Sequence, residues 1–414
     1  MVEKTYDLIV IGSGAAGMIA AIKAGQDNKK VLLLEKLPNI GSKLKATGGG
    51  RCNLSNTLNN TDFMNSFGRN GRFMTTALEL LDHNSLVDFF KSIGVDTHIP
   101  DGFRIFPVTH SSSTIINALH NELQRLDVQI QCDCQVISLD TLNNKISGVS
   151  TQTKSYKSLN VIVATGGLGY PKLGSTGDGY ELASKVGHKI TTLHPAMMPL
   201  NTKESWQDSC RADTIAKARI TIDLPKAKKF KAIGDLIFTS KGLRGPVVLD
   251  FAREITPFLD KYNEVPILIN MVKGKNEEDI LQHFKKQNSL NPSGSVLDNL
   301  EKILPTSVAT QLCILSGADI TLKFSKLNGE VRNKLIKTIV NTPFTIIGHD
   351  GFKMAMITRG GISLKEIEPK TMQSKNCEGL YFCGEVMDLD GPCGGYNLQW
   401  SFSSGYLAGS LLKI

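Results

Sequence analysis

Hydrophobic and polar positions along the chain fall into a few clear blocks. Residues 6 to 11, Tyr6-Asp7-Leu8-Ile9-Val10-Ile11, form an apolar, β-branched run, and a second, Val31-Leu32-Leu33-Leu34, follows after a small-residue helical stretch. Such runs suit strands buried on both faces of a parallel sheet. Asn160 to Ala164 gives another, ending in Gly166-Gly167, and Gly379-Leu380-Tyr381-Phe382 a last one before a glycine-rich loop and a final helix. Residues 1 to about 190 alternate strand and helix, as in an open α/β sheet. Between 191 and 345 the pattern changes to Pro-punctuated β-like stretches, His194 to Leu200, Ala218 to Leu224 and Ile233 to Thr239. A helical run from Glu277 to Ala318 follows them. The expected plan is a discontinuous α/β domain, 1–190 with 346–414, interrupted by a β-rich domain, 191–345, that carries a helical part at about 275–340.

Composition narrows the class. A chain of 414 residues exceeds what one core usually serves, and 41% hydrophobic with 21% charged residues describes a soluble globular protein. Every apolar run of spanning length is broken by Gly, Lys or Asp, so no membrane span is expected. Lys4 and the apolar residues 8 to 22 have the outline of a secretory leader, but three spaced glycines and an acid-ended strand argue against one. The eight cysteines are scattered without a C-x-x-C pair, which suits a reducing cytoplasm. Cys132-x-Cys134 falls in an alternating segment, Val128 to Leu139, and reads as two same-face strand residues; no metal is expected. The net charge of +8 leaves room for a polyanionic partner, although a lysine-rich solvated surface explains it as well. The densest basic run, Lys226 to Lys231, reads as a solvated edge.

The chemistry enters through the first turn. Gly12-Ser13-Gly14-Ala15-Ala16-Gly17 carries the G-x-G-x-x-G spacing after a strand and before a helix, and Glu35 ends the next strand. Gly12 allows the tight turn, Gly14 lets backbone approach a pyrophosphate, and Gly17 lets helix and strand pack closely. The helix directs free N–H groups and its positive end at phosphates, and the carboxylate accepts from a ribose. Strand, glycines, helix and acid in one frame predict a bound dinucleotide. Gly384-Glu385-Val386-Met387-Asp388 after a late strand, and Gly394-Gly395-Tyr396-Asn397-Leu398 opening the last helix, supply a second contact region that FAD needs and NAD does not. No second complete fingerprint follows Gly167: Gly169 to Gly179 contains Pro171 and lacks the preceding frame. A C-x(4)-C redox pair is also missing. NAD(P)H is therefore expected as a transient visitor, or a partner reductase as the electron donor.

Thr47-Gly48-Gly49-Gly50-Arg51-Cys52-Asn53, Arg104-Ile105-Phe106-Pro107, Ala164-Thr165-Gly166-Gly167, Phe238-Thr239, Gly242-Leu243-Arg244-Gly245-Pro246 and Thr371-Met372-Gln373-Ser374 fall in order between the two glycine regions. With them, nearly the whole chain resembles the BaiN/YhiN-like (RdsA-like) family of bacterial NAD(P)/FAD-dependent flavoproteins. The resemblance implies a Rossmann-like FAD-binding domain of the glutathione reductase and fumarate reductase type, interrupted by a β-barrel-like domain with a small helical subdomain. It implies that Gly12, Ser13, Gly14, Ala15, Ala16, Gly17, Glu35 and Lys36 hold the ADP half. Gly41, Lys43, Thr47, Gly48, Gly49, Gly50, Arg51, Cys52 and Asn53 would line the pyrophosphate and isoalloxazine, with Val136 at adenine. Ala164, Thr165, Gly166, Gly167, Gly384, Glu385, Asp388, Gly395, Tyr396, Asn397 and Leu398 would complete the site.

The same resemblance implies reduction of an activated carbon–carbon double bond by hydride from flavin N5, with uridine in ribosomal RNA as the favoured substrate. A small-molecule enone reductase or amine oxidase, and a flavin-binding protein without turnover, are the alternatives. Cys52 is the first candidate for the proton donor, because its loop is expected to face the ring; a small buried filler is its plain reading. Cys393 is the alternative donor, and Arg51 offers a planar donor fork or a local ion pair. Tyr396, Arg104 and His194 are candidates for positioning substrate. For RNA, Lys226 to Lys231, Lys241 and Arg244 would form a path to phosphates.

Overall fold

Leu8–Ile11 (β1), Val31–Leu34 (β2), Gln129–Gln131 (β3), Val161–Val163 (β4) and Leu380–Phe382 (β5) form one parallel sheet in the order β5-β4-β1-β2-β3. Every residue of β1, β2, β4 and β5 is buried, which is why these segments read as unbroken apolar runs. The sheet belongs to the unit Met1–His194 with Met356–Ile414; Pro195–Ala355 forms a second unit. The computed structural model describes residues 5–225 and 227–412.

Helix α1, Ala15–Gln26, links β1 to β2, and the last helix, α2, Tyr396–Gly409, packs along it. Small residues set their separation. A Cβ on Gly405 would lie 2.3 Å from the Ala16 carbonyl oxygen, and one on Gly409 2.4 Å from that of Ala20. The C-terminal helix is thereby pressed against the helix that opens the glycine turn.

Two expected strands are broken in the structure. Thr5–Tyr6 pairs with Ser155–Ser158 in a four-stranded sheet, while β1 begins only at Leu8. Asp7 marks the break, its carboxylate accepting the Lys30 N–H at 2.8 Å. The strand expected through Val128 to Leu139 stops at Gln131, and another, Val136–Leu142, starts in the four-stranded sheet. Cys132 and Cys134 lie in the connection and not on a strand face, and Asp133 between them turns left-handed at φ 51°.

In the second unit six antiparallel strands close into a barrel: Leu200–Thr202, Gly242–Arg244, Lys231–Phe238, Thr214–Ile222, Val265–Asn270 and Thr342–His349. Ile220, Leu236, Phe238, Ile267 and Phe344 are buried in its core, with Val248, Phe251 and Ile255 of the helix Pro246–Tyr262. The run expected as helical from Glu277 to Ala318 is three helices, Glu277–Leu290, Val296–Leu300 and Thr306–Ser316. Pro292 and Pro305 fall in the gaps, where a missing N–H ends helical bonding. Reciprocal caps, Asn276 with Asp279 and Ser295 with Asp298, restart the first two. A fourth helix, Gly329–Val340, leads back into the barrel strand Thr342–His349, so position 346 lies within a strand and this unit runs on to Ala355. Lys226 lies outside the described residues; of its neighbours, Lys228 reaches Asp223 at 3.6 Å and Lys229 lies 5.2 Å from the Phe230 ring centre. Among the described residues no helix is long and apolar enough to cross a membrane.

Candidate functional site

The C-terminal ends of four parallel strands open on one cleft with about 1270 Å³ of space, part of it open to solvent. Gly12 follows β1, Glu35 follows β2, Ala164 follows β4 and Cys383 follows β5, and all four line it. This is where open α/β sheets bind ligands. The three fingerprint glycines have distinct environments. Gly12 sits at φ 98°, and a Cβ there would come 2.7 Å from the Ala164 carbonyl oxygen; one on Gly17 would come 1.8 Å from that of Gly12. A Cβ on Gly14 would meet nothing within 4 Å, so the absent side chain leaves free space at the cleft wall.

Two of the helices that open on the cleft, α1 and α2, have bare starts. Neither α1 nor α2 has a side-chain N-cap or an acidic residue in its first turn. Their N–H groups and positive ends are left for a bound anion or a carbonyl. Glu35 stands beside the first. Its carboxylate accepts the Ser13 N–H at 3.0 Å, the Ser13 hydroxyl, and the Leu37 N–H at 2.9 Å. An ionised carboxylate has about four acceptor positions, so one is left for a ribose hydroxyl.

Two ion pairs fix the cleft's polar walls. Lys36 reaches Asp178 at 2.8 Å and also the Thr176 hydroxyl. Burial pushes the Asp178 carboxyl up, but bonds from Lys36, Thr176 and Gln135 outweigh it and hold the group below the usual carboxylate range. Lys43 reaches Glu385 at 2.7 Å, and the other Glu385 oxygen accepts the Thr358 N–H at 2.9 Å. Gly167 is required here by crowding: a Cβ would lie 2.3 Å from the Thr358 hydroxyl oxygen and 2.7 Å from Glu385. Its role is to admit this carboxylate, while Gly166 lines the cleft itself.

Of the residues expected to bind the cofactor, Gly12 to Ala16, Glu35, Lys36, Gly41, Lys43, Thr47, Val136, Ala164 to Gly166, Gly384, Glu385, Asn397 and Leu398 converge on this cleft. Others stand behind it. Gly48, Gly49 and Gly50, at φ 58°, 67° and 87°, form a left-handed turn that sets Thr47 at the wall. Arg51 is exposed, bonds the Gly48 carbonyl at 3.2 Å and lies 5.6 Å from the Phe106 ring centre, and it makes no ion pair within 4 Å among the described residues. Asn53, with its amide oriented to accept the Gly395 N–H at 2.9 Å, ties this turn to the start of α2. Tyr396 packs its ring against Phe63 at 5.1 Å, and a Cβ on Gly395 would lie 2.3 Å from the Ser55 carbonyl oxygen. Asp388 lines a neighbouring cavity.

The expected proton donors do not reach the cleft wall. Cys52 is fully buried, and burial pushes its thiol up to about 12 despite a bond with Thr47. It is the small buried filler, and the loop turns its side chain into the core because Cys52 itself is left-handed at φ 59°. Cys393 is half-buried in the Gly391 to Gly395 loop, which Asn397 clamps through bonds to Gly391 N and O. Arg104 is exposed and pairs with Asp101, whose carboxyl is lowered to about 2 by the Arg104 backbone N–H first and its side chain next.

Several cleft residues carry no sequence signal of their own. Leu173, Gly174, Ser175 and Asp178 come from the stretch rejected as a second fingerprint, and Cys134 and Gln135 from the connection between two sheets. In the sequence Asp178 shows only as an acid opening a helix; its pairing with Lys36, 142 positions away, is a tertiary fact.

A cradle with open space at Gly14, two uncapped helix starts and a spare carboxylate position fits a dinucleotide, and its extension to Gly384, Glu385, Asn397 and Leu398 fits the longer reach of FAD. Strand order and site thus define a Rossmann-type dinucleotide-binding protein. The chain belongs to the HI0933-like family: the model of the HI0933-like protein Rossmann domain matches residues 6–411. It is 30% identical over 402 residues, 97% of each chain, to a 3-dehydro-bile acid delta(4,6)-reductase of Clostridium scindens. It is 28% identical over 408 residues, 97% of this chain and 96% of the other, to a ribosomal RNA dihydrouridine synthase of Escherichia coli. Its fold is similar to that of 3-ketosteroid delta1-dehydrogenase from Sterolibacterium denitrificans, with a TM-score of 0.54, 12% identity, and coverage of 98% of this chain and 99% of that one.

Proposed function

We propose that this chain binds FAD in the cleft and reduces an activated carbon–carbon double bond, with uridine in ribosomal RNA as substrate. The observation that carries the reading is one continuous cleft, from Glu35 to Leu398, in a chain that matches two reductive relatives over nearly its whole length. Both relatives' names describe chemistry at a ring double bond polarised by a carbonyl. Bound FAD supplies hydride to the electron-poor carbon of such a bond. For uridine that is C6, and a proton goes to C5, so the base gains two hydrogens and the reductant, NAD(P)H or a partner reductase, loses the equivalent.

The chain's own residues do the positioning. Gly14 and the α1 start would take the pyrophosphate, Glu35 the ribose, and the Lys36–Asp178 pair would stand at the ADP end. Lys43 and Glu385 would hold the middle of the cofactor, and the bare start of α2 would supply N–H groups and a positive end to stabilise negative charge gained on reduction. With Cys52 buried away from the cleft, the proton comes from another group or from water. Deleting the gene and mapping dihydrouridine in ribosomal RNA tests the substrate: a lost modification supports the reading. An unchanged map together with saturation of a steroid enone by the purified protein favours the second reading, a small-molecule enone reductase, which the 30% identity to the bile-acid enzyme supports.

A further inference from the structure

Beside the cleft, in the same unit, lies a second cavity whose walls include Arg69, Lys189, Thr191, Lys365, Glu366 and Asp388. Asp388 lines this cavity and the next residue, Leu389, lines the cleft, so the two spaces meet consecutive residues of one segment. Three cations reach this cavity from separate segments. Arg69, Lys189 and Lys365 are exposed, and none of them makes an ion pair within 4 Å among the described residues.

Neither carboxylate closes an ion pair with the three cations, although Arg69 acts on Asp388 from a distance. Glu366 accepts the Lys189 backbone N–H at 2.7 Å and faces the buried His188 ring at 3.3 Å. Burial pushes the Asp388 carboxyl up, against the opposing effects of the Thr191 hydroxyl and of Arg359 and Arg69. Like charges gathered around one concavity repel, and they concentrate an anion there. Arg69 brings a planar fork suited to two oxygens of one group, and the lysines bring mobile point charges.

We propose that this cavity is the subsite for an oxyanion of the substrate, holding it while the double bond sits in the adjacent cleft. The proposal rests on the reductase reading for the identity of the ligand: a phosphodiester beside the target uridine, or the carboxylate of a small acid. No part of it requires a change in the cofactor site, because none of the three basic residues lines the cleft.

The test compares the FAD-loaded protein with the R69A/K189A/K365A variant, after flavin content and melting temperature are matched. A fluorescent ribosomal RNA hairpin is titrated at several salt concentrations, and a steroid enone carboxylic acid is compared with its methyl ester. If the oxyanion is a phosphodiester, the variant binds the hairpin 10- to 100-fold more weakly and its salt slope falls by about 2, near 0.7 per lost contact. If it is a carboxylate, the wild type prefers the acid over the ester by 10-fold or more and the variant loses that preference. Unchanged hairpin affinity and salt slope, together with an unchanged preference between acid and ester, would overturn the subsite. Binding is read without turnover, so a protein that binds through these residues yet reduces neither RNA nor enone contradicts the reductase reading alone. Reduction with unchanged kcat/KM in the variant contradicts the subsite alone.

Discussion

Gly14 and Gly17 stand three residues apart and meet opposite surroundings. A side chain at Gly14 enters empty cleft, and one at Gly17 enters the Gly12 carbonyl. Gly14→Val is therefore expected to fold, with a melting temperature within about 3 °C of wild type, yet to purify without flavin. Gly17→Val is expected to lose about 3 kcal/mol or more through overpacking, measured by urea unfolding. Loss of both properties in Gly14→Val would show that this position is structural. Cys52 gives a second residue-level outcome. Its thiol, raised to about 12 by burial, stays protonated and unreactive in the native state. Cys52→Ala should keep its turnover and lose about 1–2 kcal/mol of stability, whereas a 100-fold fall in kcat with unchanged stability would return it to the proton-donor role. The fingerprint and Glu35 were legible because each residue's role follows from its own spacing. Cys52 was not, because its direction depends on a left-handed backbone that the glycines before it only permit.

At the scale of elements, the site depends on how α2 meets α1. Gly405 and Gly409 press against Ala16 and Ala20, and Gly384, at φ 76°, bonds the Ser404 hydroxyl through its N–H at 2.9 Å. Gly405→Val should separate the helices, costing about 2–3 kcal/mol and releasing flavin as well, a coupled loss that distinguishes it from Gly14→Val. The tie between the end of β2 and the helix Asp178–Lys185 has a pH signature. Asp178 is held below its unfolded value of about 3.9, so its contribution is complete above that range and disappears as pH falls through the lowered value. Asp178→Asn should be less stable than wild type by about 0.5–1 kcal/mol at neutral pH. In denaturant midpoints that difference should close as the pH drops below about 4. Continuous apolar strands were readable from pattern alone. Breaks at Asp7, at Asp133 and at the two helix-ending prolines leave little trace in that pattern, because alternation over a long window hides a single polar or proline position.

Across the whole molecule, a glycine turn near the start and a glycine loop near the end belong to one site because β1, β4 and β5 are neighbours in one sheet. The chain leaves this unit after His194 and returns at Met356. Composition showed that return as a change of pattern, but the closure of six strands into a barrel is a property of pairing that no local signal carries. With a single fingerprint in the sequence, the proposed reaction would draw its electrons from a visiting nicotinamide or a partner reductase. The most direct measurement reduces the purified protein's flavin with dithionite without oxygen, then adds ribosomal RNA transcript or, separately, a steroid enone. The account predicts return of the oxidised flavin band, with one double bond saturated for each flavin reoxidised. A flavin that stays reduced with both acceptors, yet reoxidises when oxygen is admitted, would contradict it.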